Sequence, residues 1–229
     1  MSGSREKILG RIREALAVPA PRHYQTPAPT ENTAVTAHFR EWLPFVGENA
    51  DEQLALFHRQ CELLQVRLRE CADLAGAADE VAGLARNNGW ASLAWHPGEL
   101  IDQLLVHLPS SLPLFKIESG YDKDALERCD ASITECESLV AQTGSICITS
   151  RSSGGRALSV LPPEHVVIAR RAQLVRDLSA AYERLGAKYR GAYPSFISFI
   201  SGPSRTGDIE RILVLGAHGP KKVTVLLLP

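Results

Sequence analysis

The sequence lacks the cysteine patterns that mark several familiar protein classes. Its 229 residues include five cysteines, an odd number, and no two of them form a C-x-x-C pair. This argues against a disulfide scaffold, a zinc ribbon and a cysteine-ligated iron–sulfur cluster in this chain. We expect reduced, buried thiols at all five positions, which are Cys61, Cys71, Cys129, Cys136 and Cys147.

A strong charge of either sign is also missing. The chain has 25 basic and 26 acidic residues and a formal net charge of −1, so nothing indicates a nucleic-acid partner. No apolar run is long enough to cross a bilayer, and the first residues lack the apolar region of a signal peptide. We therefore expect a cytoplasmic protein.

The sequence contains neither a G-x-G-x-x-G nor a P-loop motif, so it does not predict dinucleotide binding or P-loop nucleotide binding.

Alternating strand and helix patterns fill the second part of the chain. The predicted strands cover residues 90–95, 112–117, 131–134, 165–169, 196–200 and 223–228. This alternation predicts an α/β fold with a mostly parallel sheet flanked by helices, whose ligands collect at the carboxyl ends of the strands. We also predict a hairpin of residues 145–149 and 157–161, followed by a helix through Leu174, Leu178, Ala181 and Leu185.

The first part of the chain is predicted to be helical. Residues 1–32 should form an amphipathic helix over 4–17 and a Pro-rich linker, an arm suited to docking onto its own domain, a second copy in a homodimer or a partner subunit. Residues 33–229 should form the main domain, with a helical lead-in over 33–88 and the α/β body over 89–229. Within the lead-in we predict helices around 34–42, over 49–74, and from about 79 to Gly89.

The turn after the strand at 196–200 has a specific chemistry. Gly202 lets a ligand approach the backbone, because no Cβ stands in the way. Ser204 or Thr206 can cap a following helix, whose first amides are free donors. Arg205 adds a guanidinium fork that suits a carboxylate or a phosphate.

Two further residues extend this turn. Asp208 places negative charge near the start of the predicted helix, and His218, between two glycines, suits a ligand or a proton-transfer group. The same residues also fit a plain helix cap and a hydrogen-bonding turn histidine. An anion site and a structural turn are therefore both open interpretations.

Four segments carry a resemblance to a known family. They read ISGPSRTGDIE at 200–210, LVLGAHGPKKVTVLLL at 213–228, QTGSICI at 142–148 and RALSVLPPEHVVI at 156–168. With them, the chain from about Thr33 onward resembles the lactate utilisation protein C family, also called the LUD domain family. That resemblance implies a NagB/RpiA/CoA transferase-like fold, as in sugar-phosphate isomerases and coenzyme A transferases.

The resemblance also implies a role in oxidising L-lactate to pyruvate. The chain would be a non-redox subunit or accessory protein without a cofactor of its own, beside partner subunits that carry iron–sulfur clusters. The residues proposed to bind a small anionic metabolite are Thr143, Gly144, Ser201, Gly202, Ser204, Arg205, Thr206, Asp208 and His218. Two alternatives stay open: an independent transferase, isomerase or cyclo-ligase on the same fold, and a non-catalytic metabolite-binding assembly module.

Two acids and two arginines complete the set of candidates. Glu135 and Glu137 are the acids that chain order places best to face a pocket. A glutamate nucleophile serves coenzyme A transferases, but the Ser-x-Glu-Asn-Gly type of motif is missing, so no catalytic residue is assigned. Arg151 and Arg156 flank a glycine-rich loop tip, where they can either receive an anionic substrate or be solvated. His165, beside a Pro-Pro turn, is interpreted as structural.

Overall fold

The computed structural model describes residues 2–17, 43–118, 120–206, 214–215 and 218–229. The chain divides into two units, Met1–Leu43 and Pro44–Pro229. In the first unit the described element is helix α1 (Ser2–Ala17), which confirms the helix predicted over residues 4–17. The predicted Pro-rich linker and the helix predicted around 34–42 lie outside the described residues.

The second unit is built from twelve described strands and five described helices. The strands are β1 (Val66–Glu70), β2 (Leu93–Trp95), β3 (Leu114–Lys116), β4 (Ala131–Glu135), β5 (Ser138–Val140), β6 (Ser145–Thr149), β7 (Glu164–Arg170), β8 (Leu174–Val175), β9 (Ile197–Ile200), β10 (Arg205–Thr206), β11 (Val214–Leu215) and β12 (Lys222–Leu228). The helices are α2 (Ala50–Leu64), α3 (Leu74–Asn88), α4 (Glu99–Leu105), α5 (Lys123–Glu127) and α6 (Leu178–Tyr189). None of the helices in the described part of the chain is long and apolar enough to cross a membrane.

Six of the strands form one parallel sheet. Their spatial order is β1-β12-β7-β4-β2-β3, and every neighbouring pair is parallel. All six carboxyl ends therefore lie along the same edge of the sheet. The predicted α/β fold, with a mostly parallel sheet flanked by helices, is confirmed.

Asparagine and aspartate side chains cap the start of four of the five described helices of the second unit. The side chains of Asn49, Asp73, Asp122 and Asp177 accept backbone N–H groups in the first turns of α2, α3, α5 and α6. Such caps stabilise a helix because its first amides have no partner within the helix. The fifth helix, α4, follows Gly98, which has no side chain to offer, and its cap comes from elsewhere in the fold.

The prediction of one long helix over residues 49–74 is wrong. Helix α2 ends at Leu64, Gln65 adopts a left-handed conformation with φ of 61°, and the chain continues as strand β1 at one edge of the sheet. The apolar residues of this segment fit a helical spacing. However, they also fit a strand, in which Val66 is buried and its neighbour Arg67 is exposed.

A second, four-stranded sheet was not predicted. Its order is β8-β5-β6-β9, and β6 pairs antiparallel with β5 on one side and with β9 on the other. The hairpin predicted between residues 145–149 and 157–161 is therefore wrong, since Ala157–Ser159 form a 3₁₀ turn. Leu174, predicted to be helical, lies in β8, which runs parallel to β5 before α6 begins. Strand β6 is buried at all five positions, so the backbone groups on both of its edges need partners, which are the adjacent β5 and the distant β9.

Separate apolar clusters cover the two faces of the parallel sheet. On one face α3 and α4 pack on the strands around Val81, Ile101 and Ile133. On the other face α2 and the second sheet pack on the strands around Phe57 and Ile146. The sheet is therefore packed on both faces, and this packing fixes the position of its carboxyl edge.

All five cysteines are buried, as predicted. Burial, helped by the nearby carboxylate of Glu62, raises the pKa of the Cys61 thiol to about 12. Burial likewise raises the pKa of Cys147 to about 11, with a further contribution from the charge of Glu137. Both thiols therefore stay protonated at neutral pH and pack as small apolar groups.

His165 lies inside the sheet, near the start of β7, and exposes only 1% of its surface. Its Nε2 lies 2.9 Å from Thr134 Oγ1 on the neighbouring strand β4. Its Nδ1 has no hydrogen-bond partner within the described parts of the chain. Because burial penalises the charged ring, the pKa of His165 falls from 6.5 to about 4.

We expect acid to destabilise the protein through His165. The folded-state pKa, about 4, lies below the unfolded value of 6.5. The stability that depends on the neutral ring is therefore complete above pH 6.5 and is lost as the pH falls towards 4, to a total of about 3 kcal/mol. The double variant His165→Leu/Thr134→Val removes the ring together with its hydroxyl partner. In urea unfolding between pH 7 and pH 4, this variant should lose less stability than the native protein, and equal losses would contradict the assignment.

Candidate functional site

A pocket of about 460 Å³ opens at the carboxyl end of β4. This edge of a parallel sheet is where α/β folds hold ligands, and the volume lies in the range of roughly 300–1,000 Å³ usual for small-molecule sites. Three stretches of chain surround the pocket: the end of β4 with the β4–β5 connection, the loop after β6, and the segment from the 3₁₀ turn before β8 to the end of α6. The lining residues are Glu135, Cys136, Glu137, Arg151, Ser152, Gln173, Arg184, Lys188 and Tyr189.

Glu137 is the buried acid of this pocket, with a side chain that is only 3% exposed. Its Oε1 accepts hydrogen bonds from Thr149 Oγ1, at 2.8 Å, and from the hydroxyl of Tyr189. Its Oε2 accepts a hydrogen bond from Lys188 Nζ, at 2.6 Å. The carboxylate therefore joins the β4–β5 connection, the end of β6 and the end of α6.

Two opposing effects decide the charge of Glu137. Burial by itself would raise the pKa of the carboxyl group, because it penalises the charged form. The hydrogen bonds from Lys188, Tyr189 and Thr149 favour the charged form and outweigh burial, so the pKa is lowered below its ordinary value. Glu137 is a carboxylate at neutral pH, and it holds the Lys188 ammonium and the Tyr189 phenol in place.

Glu135 has a different partner, the start of helix α4. Its Oε1 accepts the backbone N–H of Leu100 at 2.7 Å and that of Ile101 at 3.3 Å. A Cβ atom on Gly98 would lie 2.4 Å from the same oxygen, so the residue before α4 has to be glycine for the carboxylate to come this close. Glu135 thus supplies the cap that Gly98 cannot provide.

Two arginines bring positive charge to the pocket. The Arg151 guanidinium, in the loop after β6, lies 5.1 Å from the centre of the Tyr189 ring, a cation–π arrangement. Arg184, on α6, donates through Nη1 to the carbonyl oxygen of Ala172 at 2.9 Å. Neither guanidinium forms an ion pair with a carboxylate in the described residues. The sequence singled out Arg151 together with Arg156, and of these two Arg151 lines the pocket.

Three residues of the predicted ligand site lie against the carboxyl end of α2. Gly202, with φ of +91°, would place a Cβ 2.7 Å from the carbonyl oxygen of Leu64. Arg205 donates through Nη2 to that same oxygen, at 2.6 Å. Gly144 packs against the side chains of Gln60 and Leu64. The last carbonyl groups of a helix have no partner within it, and an arginine is a suitable donor for them.

Hydroxyl groups link other members of the predicted site. Thr143 Oγ1 lies 2.7 Å from Ser145 Oγ, which in turn lies 2.7 Å from Ser201 Oγ. Ser204 Oγ accepts the backbone N–H of His218 at 3.3 Å. The structure thus links Thr143 with Ser201 through Ser145, and Ser204 with His218, and ligand binding by these residues stays a prediction.

The helix predicted to follow Gly202 does not begin where it was expected. Arg205 and Thr206 form β10, which pairs antiparallel with β11. Thr206 is therefore not a helix cap, because its backbone pairs with Val214 in a ladder. Asp208 and the remainder of the predicted helix lie outside the described residues.

Sequence reasoning missed the part of the pocket that α6 contributes. Arg184 and Lys188 stand four residues apart and so lie on the same face of the helix. Two like charges at this spacing destabilise a helix unless a partner compensates for them. That pair, next to the mostly apolar Tyr189, is the signal that could have indicated an anion or a buried acid.

The family of the chain follows from comparison with known proteins. A family model described as the LUD domain matches residues 59–228, which include every residue that lines the pocket. The chain belongs to the LUD domain family. The family resemblance drawn from the sequence motifs is confirmed.

Several LUD-family relatives share one name, "Lactate utilization protein C". The protein from Geobacillus thermodenitrificans is 30% identical over 205 residues, which cover 82% of this chain and 82% of that protein. The protein from Geobacillus sp. strain WCH70 is 28% identical and covers 83% of each chain. A crystal structure of a duf162 family protein from Deinococcus radiodurans superposes with a TM-score of 0.60 at 21% identity, over 80% of this chain and 100% of the other. That superposition supports the fold.

We expect Gly202→Ala to destabilise the protein more than a left-handed glycine alone would explain. Gly191 has nearly the same φ, +88°, but open space where a Cβ would stand, whereas a Cβ on Gly202 would collide with the Leu64 carbonyl. Gly191→Ala should cost about 1–2 kcal/mol for the strained backbone, and Gly202→Ala should cost clearly more. Urea unfolding of both variants tests this, and equal losses would show that the contact with α2 does not constrain this position.

We expect Lys188→Met to destabilise the protein by about 1–3 kcal/mol, because the buried carboxylate loses a charged donor. The pKa of Glu137 should rise as a result. Since its lowered pKa contributes stability that is present above 4.5 and lost as the pH falls through the folded value, the variant should unfold at a higher pH during acid titration.

Lys116→Met is the matched control, because the 2.6 Å ion pair of Lys116 with Glu118 lies on the surface. Such exposed pairs contribute about 0–1 kcal/mol. Losses of equal size in the two variants would contradict the assigned role of the Glu137 network.

Proposed function

We propose that this LUD-domain protein serves in lactate utilisation as a non-redox component. In this proposal it binds an organic anion in the pocket at the end of β4, while partner proteins carry the iron–sulfur clusters. The observation that carries the proposal is the match to proteins named "Lactate utilization protein C" over about four fifths of both chains, 82% in the case of the Geobacillus thermodenitrificans protein.

The chemistry of the pocket supports this proposal. Lactate and pyruvate are carboxylates, and guanidinium groups bind carboxylates with paired hydrogen bonds. Arg151 and Arg184 provide such groups at the sheet edge, and Lys188 adds a third positive charge beside them. The pocket is the stronger candidate for the anion, because two guanidinium groups line it, whereas the Gly202 turn offers Arg205 alone.

Lactate-dependent reduction of an artificial electron acceptor tests the role of the chain. The assay compares this chain alone, its proposed iron–sulfur partners alone, and all of them together. We expect activity only in the complete mixture, saturating when the chain reaches the concentration of its partners. Full activity from the partners alone would overturn the proposal and leave an independent enzyme as the leading alternative.

A variant pair connects the pocket with that activity. The double variant Arg151→Ala/Arg184→Ala should lower the rate of the complete mixture, because the pocket loses two cations. Arg156→Ala is the matched control, since it removes an exposed charge from the same loop without touching the pocket lining. Similar rates from these two variants would show that the lactate activity does not depend on the pocket.

A further inference from the structure

The charge balance inside the pocket narrows the class of ligand. The negative charge of Glu137 is matched by Lys188, whose Nζ lies 2.6 Å from Oε2. The carboxylate of Glu135 receives two backbone N–H groups from the start of α4. Both acids of the pocket therefore already have partners within the protein.

Both polar atoms of the Gln173 amide also have partners within the protein. Its nitrogen donates to the carbonyl oxygen of Cys136 at 2.6 Å, and its oxygen accepts the N–H of Arg170 at 2.7 Å. The hydroxyl of Tyr189 donates to Glu137. The pocket consequently has few free acceptors for a donor group on a ligand.

The guanidinium groups of Arg151 and Arg184 keep N–H donors that the protein itself does not use. Each carries five N–H bonds, and Arg184 uses one nitrogen on the Ala172 carbonyl while Arg151 lies over the Tyr189 ring. Neither has a carboxylate partner in the parts of the chain that the structure describes. The pocket lining therefore carries three positive and two negative side chains, and the two guanidinium groups are the cations that have no carboxylate partner there.

We propose that the pocket binds a dianionic organic ligand, either a dicarboxylate or a phosphomonoester, through Arg151 and Arg184. A monoanion such as lactate would neutralise only one of the two guanidinium groups. As a three-carbon acid it would also leave much of the 460 Å³ volume unfilled. This inference deepens the proposed function, since it rests on the same pocket, but it does not depend on the partner proteins.

Binding of three probes to the full chain, measured by isothermal titration calorimetry at low salt, tests this inference. The probes are L-lactate, L-malate as the dicarboxylate, and glycerol 3-phosphate as the phosphomonoester. At least one dianion should bind about tenfold or more tightly than L-lactate, because a second charged hydrogen-bonded contact contributes at least about that much. The two dianions distinguish a dicarboxylate site from a phosphate site.

Single substitutions then identify the groups that bind the two charges. Arg151→Ala and Arg184→Ala should each reduce the preference for the dianion over L-lactate by about tenfold. Arg156→Ala should leave that preference unchanged, and unchanged melting temperatures would show that all three variants are folded. Equal affinity for L-lactate and both dianions, no binding of either dianion, or a preference that survives both substitutions would overturn the inference.

The two experiments distinguish a wrong ligand class from a wrong role in lactate utilisation. If the dianions do not bind but lactate oxidation still requires the chain, the role in lactate utilisation stands and only the ligand class falls. If the dianions bind but the partners are fully active alone, the pocket stands and the role in lactate utilisation falls.

Discussion

The buried carboxylate of Glu137 is the interaction on which the pocket depends. A buried carboxylate is costly unless donors surround it, and here Thr149, Tyr189 and Lys188 supply them. These donors come from β6 and from the end of α6, so the charge ties the helix to the second sheet at the point where β4 ends. Together with the packing of Leu185 and Tyr189 against Cys147, this network positions the end of α6 at the sheet edge.

Five of the six strands of the parallel sheet, all except β1, were predictable because each carries its own local pattern. Residues 165–169 and 223–228 are apolar runs bounded by turn residues, and they appear as β7 and β12. The second sheet was not predictable in this way. Strand β6 pairs with β9 across some fifty residues of chain, and no local pattern specifies a partner at that distance. The wrong prediction for residues 49–74 has a different cause. The apolar residues of that segment fit the spacing of a helix and also that of a strand.

The candidate site shows what residue chemistry can and cannot predict. Gly202 and Arg205 do lie against an oxygen atom that accepts a hydrogen bond, as their pattern predicted. That oxygen belongs to Leu64, at the end of α2, rather than to a ligand. A helix carbonyl and a ligand oxyanion both need a hydrogen-bond donor, such as arginine, and a nearby backbone without a Cβ, such as glycine. Sequence alone therefore does not distinguish the two. The pocket at β4 was harder to find, because its residues come from three separate stretches of chain.

The acids and the bases of the pocket have different roles. Glu135 and Glu137 bind groups of the protein itself and fix the positions of α4 and α6. The arginines do not have such partners in the described residues, so their field extends into the pocket. Because the whole chain has a formal net charge of only −1, attraction of an anion has to come from this local field rather than from the molecule as a whole. A fixed acid that orients one cation, beside two cations without acids, is an arrangement that selects for negative charge on the ligand.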